Sequence, residues 1–162
     1  MNTKECLDYH SVRQEKIKFL SDHMLAALAT SADDRVTART VDYASKELDI
    51  YFLSWEHHTK CVQIKANPRV ALCIDNLQIE GRAKILGSPL DAKNSKAAAI
   101  YRSKLPTMFN DFASRPGMVI VKVIPDSIVT FVRSGSRRYW EYLDLTNKTA
   151  HVAEEFHRTE PC

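Results

Sequence analysis

The sequence predicts a mainly β protein with helices (α+β), in which six to seven antiparallel strands curl into a barrel. Two observations lead to this fold class. Apolar runs rich in β-branched residues follow one another with only short turns between them, as in antiparallel sheets. Hydrophobic residues make up 44% of the 162-residue chain, which is enough for one buried core. We therefore expect a single domain over 1–162.

The barrel strands are predicted within 24–89, after an amphipathic N-terminal helix over 11–22. Each strand ends at a cluster of turn residues. A short helix over 59–67, ended by Pro68, separates the third strand from the fourth. The predicted barrel strands are MLAALATS (24–31), RVTARTVDYAS (35–45), LDIYFLSW (48–55), RVALCID (69–75) and LQIEGRAKILG (77–87).

The C-terminal half is predicted to contain a longer helix and further strands. The helix covers 91–115, and Pro106 breaks or kinks it because proline cannot donate a backbone hydrogen bond. Strands follow over 117–146, with an interruption at Pro125. The segment 147–162 is polar and poorly patterned, so we expect a loosely ordered tail.

Composition argues against several classes of function. The net charge is only +3 and is not concentrated in one block, so nucleic-acid binding is not expected. We find neither a signal peptide nor an apolar stretch of membrane-spanning length, which predicts a cytoplasmic protein with reduced thiols. Only four glycines occur, too few for a glycine-rich phosphate loop. Cys73 lies in an apolar run and is expected to be a core residue.

The segment around the start of the short helix concentrates polar chemistry. His57, His58 and Cys61 could in principle bind a metal, and two of them share a helix face. A structural zinc site needs four ligands and a catalytic site three plus water, so we expect no metal. Cys61 could be a nucleophile activated by Lys60, or a packing residue on a buried face with Val62 and Ile64.

An anion is the remaining candidate ligand for this segment. A strand leads through a loop to the N-terminus of the short helix, where free N–H groups and the helix dipole favour negative charge. Thr59 adds a hydroxyl and Lys60 a cation in the first turn. The alternative is a solvated lysine on a surface helix, and residue spacing does not separate the two.

Residues 24–89 resemble the FMN-binding split barrel of the pyridoxamine 5′-phosphate oxidase-like superfamily. The resemblance implies a six- to seven-stranded antiparallel split β-barrel. It also implies a homodimer with FMN at the subunit interface. The matching segments, in order along the chain, are LATS, ARTVDY, IYFLS, HHTKCVQIKANPRVAL and IEGRAKILGSP.

The resemblance also implies a set of cofactor-binding residues. Arg39 would contact the FMN phosphate, and it shares a strand face with Val41 and Tyr43, along which a flavin could lie. Arg82 would lie near the flavin ring, and Trp140 would cover the flavin from the partner subunit. No catalytic residue is identified. The remaining implied positions are Thr40 and Val41 beside the ring, Leu53 and Ser54 beside the ring and ribityl phosphate, and His58, Thr59 and Lys60 at the phosphate.

The sequence departs from the oxidase that gives the superfamily its name. The C-terminal segment RRYWEYLDL contains Trp140 but lacks the Arg-x-His signature that follows in the oxidase, and Tyr43 replaces a lysine. Vitamin B6 oxidation is therefore not expected. The predicted function is an FMN-dependent oxidoreductase acting on an unidentified small substrate, with NAD(P)H as a possible electron donor. The alternatives are a non-catalytic flavin- or haem-binding storage or stress protein, or a deazaflavin-dependent relative.

Overall fold

The computed structural model describes residues 5–154, which form an antiparallel sheet accompanied by helices. Four α-helices and ten strands occur within this range. The elements are β1 (Glu5–Leu7), α1 (Tyr9–Asp22), β2 (Leu25–Ala32), β3 (Arg35–Asp42), β4 (Ala44–Lys46), β5 (Asp49–Trp55), α2 (Thr59–Ala66), β6 (Arg69–Ile74), β7 (Leu77–Gly87), α3 (Ser95–Lys104), α4 (Pro106–Phe112), β8 (Met118–Ser134), β9 (Arg137–Asp144) and β10 (Thr149–Ala153).

The strands pair in the order β1-β10-β9-β8-β7-β6-β2-β3, and β5 joins β4 to β8. Every pairing is antiparallel. The result is an open, curled sheet, which confirms the predicted fold class. The described strands outnumber the prediction because short strands form at β1, β4 and β10.

The predicted loose tail from 147 is wrong for its first part. Residues Thr149–Ala153 form β10, which pairs with β9 on one side and β1 on the other. These pairings depend on segments distant in sequence, so local periodicity gives little indication of them. The rest of the tail, 155–162, lies outside the described residues.

The predicted interruption at Pro125 is also wrong, because β8 runs through this residue without a break. Pro125 pairs with Gly81 of β7, at a shift in register that begins between Glu80 and Gly81. A bulge tolerates proline, which has no N–H to donate. A Cβ at Gly81 would lie 2.4 Å from the carbonyl oxygen of Ile124, so only glycine allows this close approach.

The helical region predicted over 91–115 consists of a short 3-10 turn followed by α3 and α4. Pro106 lies in the first turn of α4, where its missing N–H costs nothing. The predicted helix is therefore broken just before Pro106, between α3 and α4. At the other end of the protein, Asp8 caps α1 by accepting a hydrogen bond from the Ser11 N–H at 2.7 Å.

Among the helices of residues 5–154, none combines the length and the apolar composition that a membrane span requires.

Two apolar layers lie on opposite faces of β5 and its neighbours. The inner face packs into the main core, which includes Ile50 and Phe52. The outer face, with Tyr51 and Leu53, is covered by α3 and α4.

On β6 the alternation buries Leu72 and its alternate neighbours and turns Cys73 outward. The expectation that Cys73 is a core residue is therefore wrong, because one face of this strand is exposed.

One buried ion pair joins α1 to the sheet. Lys16 donates to Oε1 of Glu141 on β9, and the two side chains are 8% and 12% exposed. Moving a charge from water into the protein interior is costly, so each of these two buried charges needs the other as its counter-ion. The pair therefore links α1 to β9 in addition to the apolar packing of Val12 and Leu20.

Candidate functional site

The sheet opens between β3 and β5, and a cavity lies in this split. β3 pairs with β2 as far as Asp42, and β4, which begins at Ala44, pairs with β5. β3 and β5 therefore meet near this point and separate away from it. The cavity has a volume of about 150 Å³. It is lined by Thr40, Val41, Asp42, Leu53, Ser54, Trp55, His58, Lys60, Tyr101, Met108, Phe112 and Met118.

The β3 wall of the split presents unpaired backbone groups. The Tyr43 N–H donates to the Met24 carbonyl oxygen at 2.8 Å, so Tyr43 faces β2 in the ladder. In an antiparallel pair, alternate residues direct both backbone groups to the same side. Val41 therefore also faces β2, whereas Thr40 and Asp42 direct their N–H and C=O groups into the split.

The β5 wall follows the same rule. The Glu56 N–H donates to the Gly117 carbonyl oxygen at 2.8 Å, so Glu56 and its alternate neighbours face β8. Leu53 therefore directs both backbone groups toward the split, and Trp55 directs its N–H there, whereas the Trp55 carbonyl oxygen accepts from the His58 N–H at 3.1 Å. Free strand edges readily accept a further hydrogen-bonding partner. A flat polar molecule inserted between the two strands would find donors and acceptors on both sides.

The N-terminus of α2 borders the cavity, which His58 and Lys60 line. Cys61 and Val62 N–H groups donate to the His58 carbonyl oxygen, at 2.9 and 3.1 Å. The backbone N–H groups of Thr59 and Lys60 precede the first of these bonds and have no partner within the helix. Together with the helix dipole, they make this end of the cavity favourable for an anion.

Lys60 is half-buried at the same place. Its Nζ lies 3.4 Å from Nδ1 of His58, which suits a neutral imidazole that accepts from the ammonium. Burial lowers the pKa of Lys60, and the positive charge of Arg39 lowers it further. Burial, followed by the charges of Lys60 and His57, lowers the pKa of His58. Burial is thus the main cause of both pKa changes, and neighbouring positive charges act in the same direction.

Arg39 supplies the second cation. Its guanidinium donates to the Leu28 carbonyl oxygen at 3.2 Å, to the Thr30 hydroxyl at 2.7 Å and to the Thr37 hydroxyl. These acceptors are neutral, and burial lowers the pKa of Arg39. Among residues 5–154, no carboxylate forms an ion pair with Arg39 or Lys60. Two cations beside a free helix N-terminus fit a phosphate group.

Gln63 of α2 holds this arrangement in place, a role that sequence reasoning missed. Its Oε1 accepts hydrogen bonds from Thr30 and Thr37, both at 2.6 Å. Its Nε2 donates to the Arg35 carbonyl oxygen at 2.9 Å. The residue is only 5% exposed, and a buried amide needs such partners. Gln63 thus orients the two threonines that in turn orient Arg39.

Replacement of Gln63 by leucine tests this positioning role. The two threonine hydroxyls would lose their acceptor, and Arg39 would lose its fixed orientation. We expect Gln63→Leu to weaken binding of a phosphate-bearing ligand by about 1 kcal/mol, roughly fivefold, in a calorimetric titration. Gln78→Leu, on the exposed face of β7, is the matched control and should bind like the wild type. Equal affinity in both variants would contradict the role of Gln63.

The outer side of the cavity is apolar and aromatic. Tyr101 of α3 and Met108 and Phe112 of α4 lie over it. The Phe112 ring meets the Trp55 ring edge-on, with centroids 5.7 Å apart. The His58 ring lies 5.2 Å from the same indole. These helical residues were not predicted, because they lie far along the chain and only the packing of α3 and α4 on β5 brings them here.

The structure brings most of the predicted site residues together. Thr40, Val41, Leu53, Ser54, His58 and Lys60 line the cavity. Thr59 begins α2 beside them. Arg39 does not line the cavity, but it lies close enough to Lys60 to lower its pKa.

Arg82 and Trp140 lie elsewhere within the single chain. Arg82 is on the outward face of β7, with its Nε 3.5 Å from Oδ2 of Asp126. Trp140 is on β9, where its ring contacts Phe131 at a centroid distance of 4.9 Å. Neither lines the cavity. Their contact with a cofactor stays a prediction, which for Trp140 requires a second subunit.

The alternative chemistry of the α2 segment gains no support. Cys61 is fully buried together with Ile64, as packing residues are. Val62, which we expected on the same buried face, is 55% exposed, so that expectation is wrong. In the part of the chain that the structure describes, no group of three or more His, Cys, Asp or Glu side chains could hold a metal ion.

Comparison with solved structures identifies proteins with the same fold. General stress protein 26 from Bacillus anthracis matches with a TM-score of 0.60 and 18% identity, covering 82% of this chain and 98% of that one. An FAD-binding protein from Mesorhizobium loti matches at 0.58 and 15%, covering 96% and 100%. The haem storage protein HutZ from Vibrio cholerae matches at 0.59 and 12%, covering 69% and 88%. At these identities the similarity establishes the fold alone.

Comparison with protein families is more decisive. A search among curated proteins gives no significant match. The family model described as pyridoxamine 5′-phosphate oxidase, however, matches residues 13–130, which is well over half of the chain and includes the whole cavity. The protein therefore belongs to the pyridoxamine 5′-phosphate oxidase family.

Proposed function

We propose that this protein is an FMN-dependent oxidoreductase that acts on a small substrate. One observation carries the proposal: Lys60 lines the split beside the N-terminus of α2, Arg39 lies close enough to lower its pKa, and neither cation has a counter-ion among the described residues. FMN has a terminal phosphate for the cationic end and a flat, polar ring for the split. The FAD-binding relative supports a flavin more generally.

The residues of the split would divide the work of holding the cofactor. Arg39, Lys60 and the first turn of α2 would bind the phosphate by charge-assisted hydrogen bonds. The backbone groups of Thr40 and Leu53 would meet the polar edge of the ring. Phe112 would exclude water from one side. The flavin would supply the electron-transfer chemistry, so the protein needs no acid or base of its own for that step.

We also propose a homodimer with FMN at the subunit interface. The cavity of about 150 Å³ is smaller than the roughly 300–1,000 Å³ usual for ligand sites, so one chain supplies only part of the wall. Large apolar side chains of β2 and β3 are exposed in the single chain, among them Leu25 and Val36. A second copy could cover them and complete the site, with the partner subunit's Trp140 over the flavin.

The spectrum of the freshly purified protein tests the cofactor assignment. A cytoplasmic flavoprotein of this kind should be yellow or should bind added FMN in near-equimolar amount. Addition of NADH or NADPH should then bleach the flavin absorbance, with turnover once an acceptor is present. Protein that is colourless and does not take up FMN would reject the proposal. Protein that binds FMN without any turnover would leave it as a flavin-binding protein.

Haem binding is a second candidate, favoured by a specific residue. His58 lines the cavity, and its neutral imidazole could serve as an axial ligand. The similarity to a haem storage protein points to the same class of ligand. A titration with haem would give a shifted Soret band in the wild type and a weaker one in His58→Ala. A spectrum that remains that of free haem would exclude this candidate.

A further inference from the structure

Asp42 gives the cavity a second, negative end. Of the residues that line the cavity, Asp42 is the one with a carboxylate. Within the described part of the chain, the carboxylate takes part in no hydrogen bond or ion pair. It lies three residues along β3 from Arg39, which at the rise of a β-strand is roughly 10 Å. The phosphate end and the Asp42 end of the cavity are therefore separate.

The surroundings of Asp42 are poorly solvated on one side. Tyr101 of α3 faces it and is only 1% exposed. Burial raises the pKa of Tyr101, and the negative charge of Asp42 raises it further, so the two groups are close. Leu53 and Met108 line the same part of the cavity. A charge beside such a wall is screened less than it would be in water.

We propose that Asp42 makes the bound flavin harder to reduce, an inference that rests on the proposed function. Two-electron reduction with uptake of one proton places one negative charge on the flavin ring, and a second proton neutralises it. A carboxylate beside the ring repels that charge and so disfavours the reduced anion relative to the oxidised ring. Asp42 is thus a tuning residue that acts on the cofactor through charge.

The test compares affinities for oxidised and reduced FMN in the full-length protein. FMN is titrated aerobically, and then anaerobically after reduction with dithionite. The phosphate is charged in both forms, so its interaction with Asp42 cancels in the ratio of the two affinities. We expect Asp42→Asn to raise the ratio of reduced to oxidised affinity about tenfold, equivalent to about 30 mV for a two-electron couple. A dye-referenced redox titration gives the same quantity independently.

Matched variants distinguish an effect of the Asp42 charge from structural damage caused by the substitution. Asp34→Asn makes the same change in the β2–β3 turn, at the far end of β3, and should leave the ratio unchanged. Asp42→Ser also removes the charge and should reproduce the effect, whereas Asp42→Glu should preserve the wild-type ratio. If both neutral variants bind FMN with the wild-type ratio, the role of Asp42 is wrong while the FMN site stands. If the wild type binds neither form, the proposed function fails, and the inference fails with it.

Discussion

Arg39→Ala and Lys60→Ala should each weaken FMN binding by about 1.5–3 kcal/mol, roughly tenfold to more than a hundredfold. Each side chain has a half-buried charge whose hydrogen-bond partners within residues 5–154 are neutral, so the phosphate would be its counter-ion. Isothermal titration of the cofactor-free protein with FMN measures the loss. The double variant should bind least, although the two losses need not add because the cations share one ligand.

Two controls make this result specific to the phosphate. Lys65→Ala removes the same charge from the exposed side of α2, where Lys65 forms a 2.6 Å ion pair with Glu56, and should have little effect. Riboflavin lacks the phosphate, so its affinity should be nearly the same in wild type, Arg39→Ala and Lys60→Ala. Unchanged FMN affinity in both single variants would show that the phosphate lies elsewhere. Equal losses for FMN and riboflavin would instead indicate damage to the ring site.

The strands of the split could be predicted because their patterns are local. In β3 the alternation groups Val41 with Tyr43 as expected, but both side chains belong to the main core and Tyr43 is fully buried, so the expectation that a flavin could lie along this face is wrong. In α2 the chain breaks at Pro68 as expected. The resemblance then assigned Arg39 and Lys60 to one phosphate. The expectation for Val62 overlooked the helical period: Val62 lies about 100° around the helix from Cys61 and so leaves the face that Cys61 shares with Ile64.

The supporting parts of the site could not be predicted for a physical reason. The Gln63 network depends on two strands and a helix that meet only in the folded protein. The same is true of Phe112, which reaches Trp55 because α4 packs over β5. Buried polar groups and aromatic walls are selected by tertiary contacts, which single-residue propensities do not contain. The residues that hold the chemistry were thus easier to recognise than those that orient them.

Lys16→Met should lower the free energy of unfolding by about 3–5 kcal/mol, measured by urea denaturation. The substitution fills the same space but leaves Glu141 charged and uncompensated between α1 and β9. Thr130 lies opposite Glu141 in the β8–β9 ladder, and its buried hydroxyl has no hydrogen-bond partner in the described structure. One neutral hydroxyl could donate to the orphaned carboxylate, but it cannot replace the charge of Lys16.

The size of this effect depends on burial, and two further variants separate burial from pairing. Lys18→Met breaks the exposed pair with Asp22 on the same helix and should cost less than about 1 kcal/mol. The double variant Lys16→Met/Glu141→Leu removes both buried charges and should recover most of the lost stability, because apolar pairs of similar volume often replace buried ion pairs without cost. A double variant as unstable as Lys16→Met would show that α1 needs the hydrogen-bonded pair itself to dock against β9.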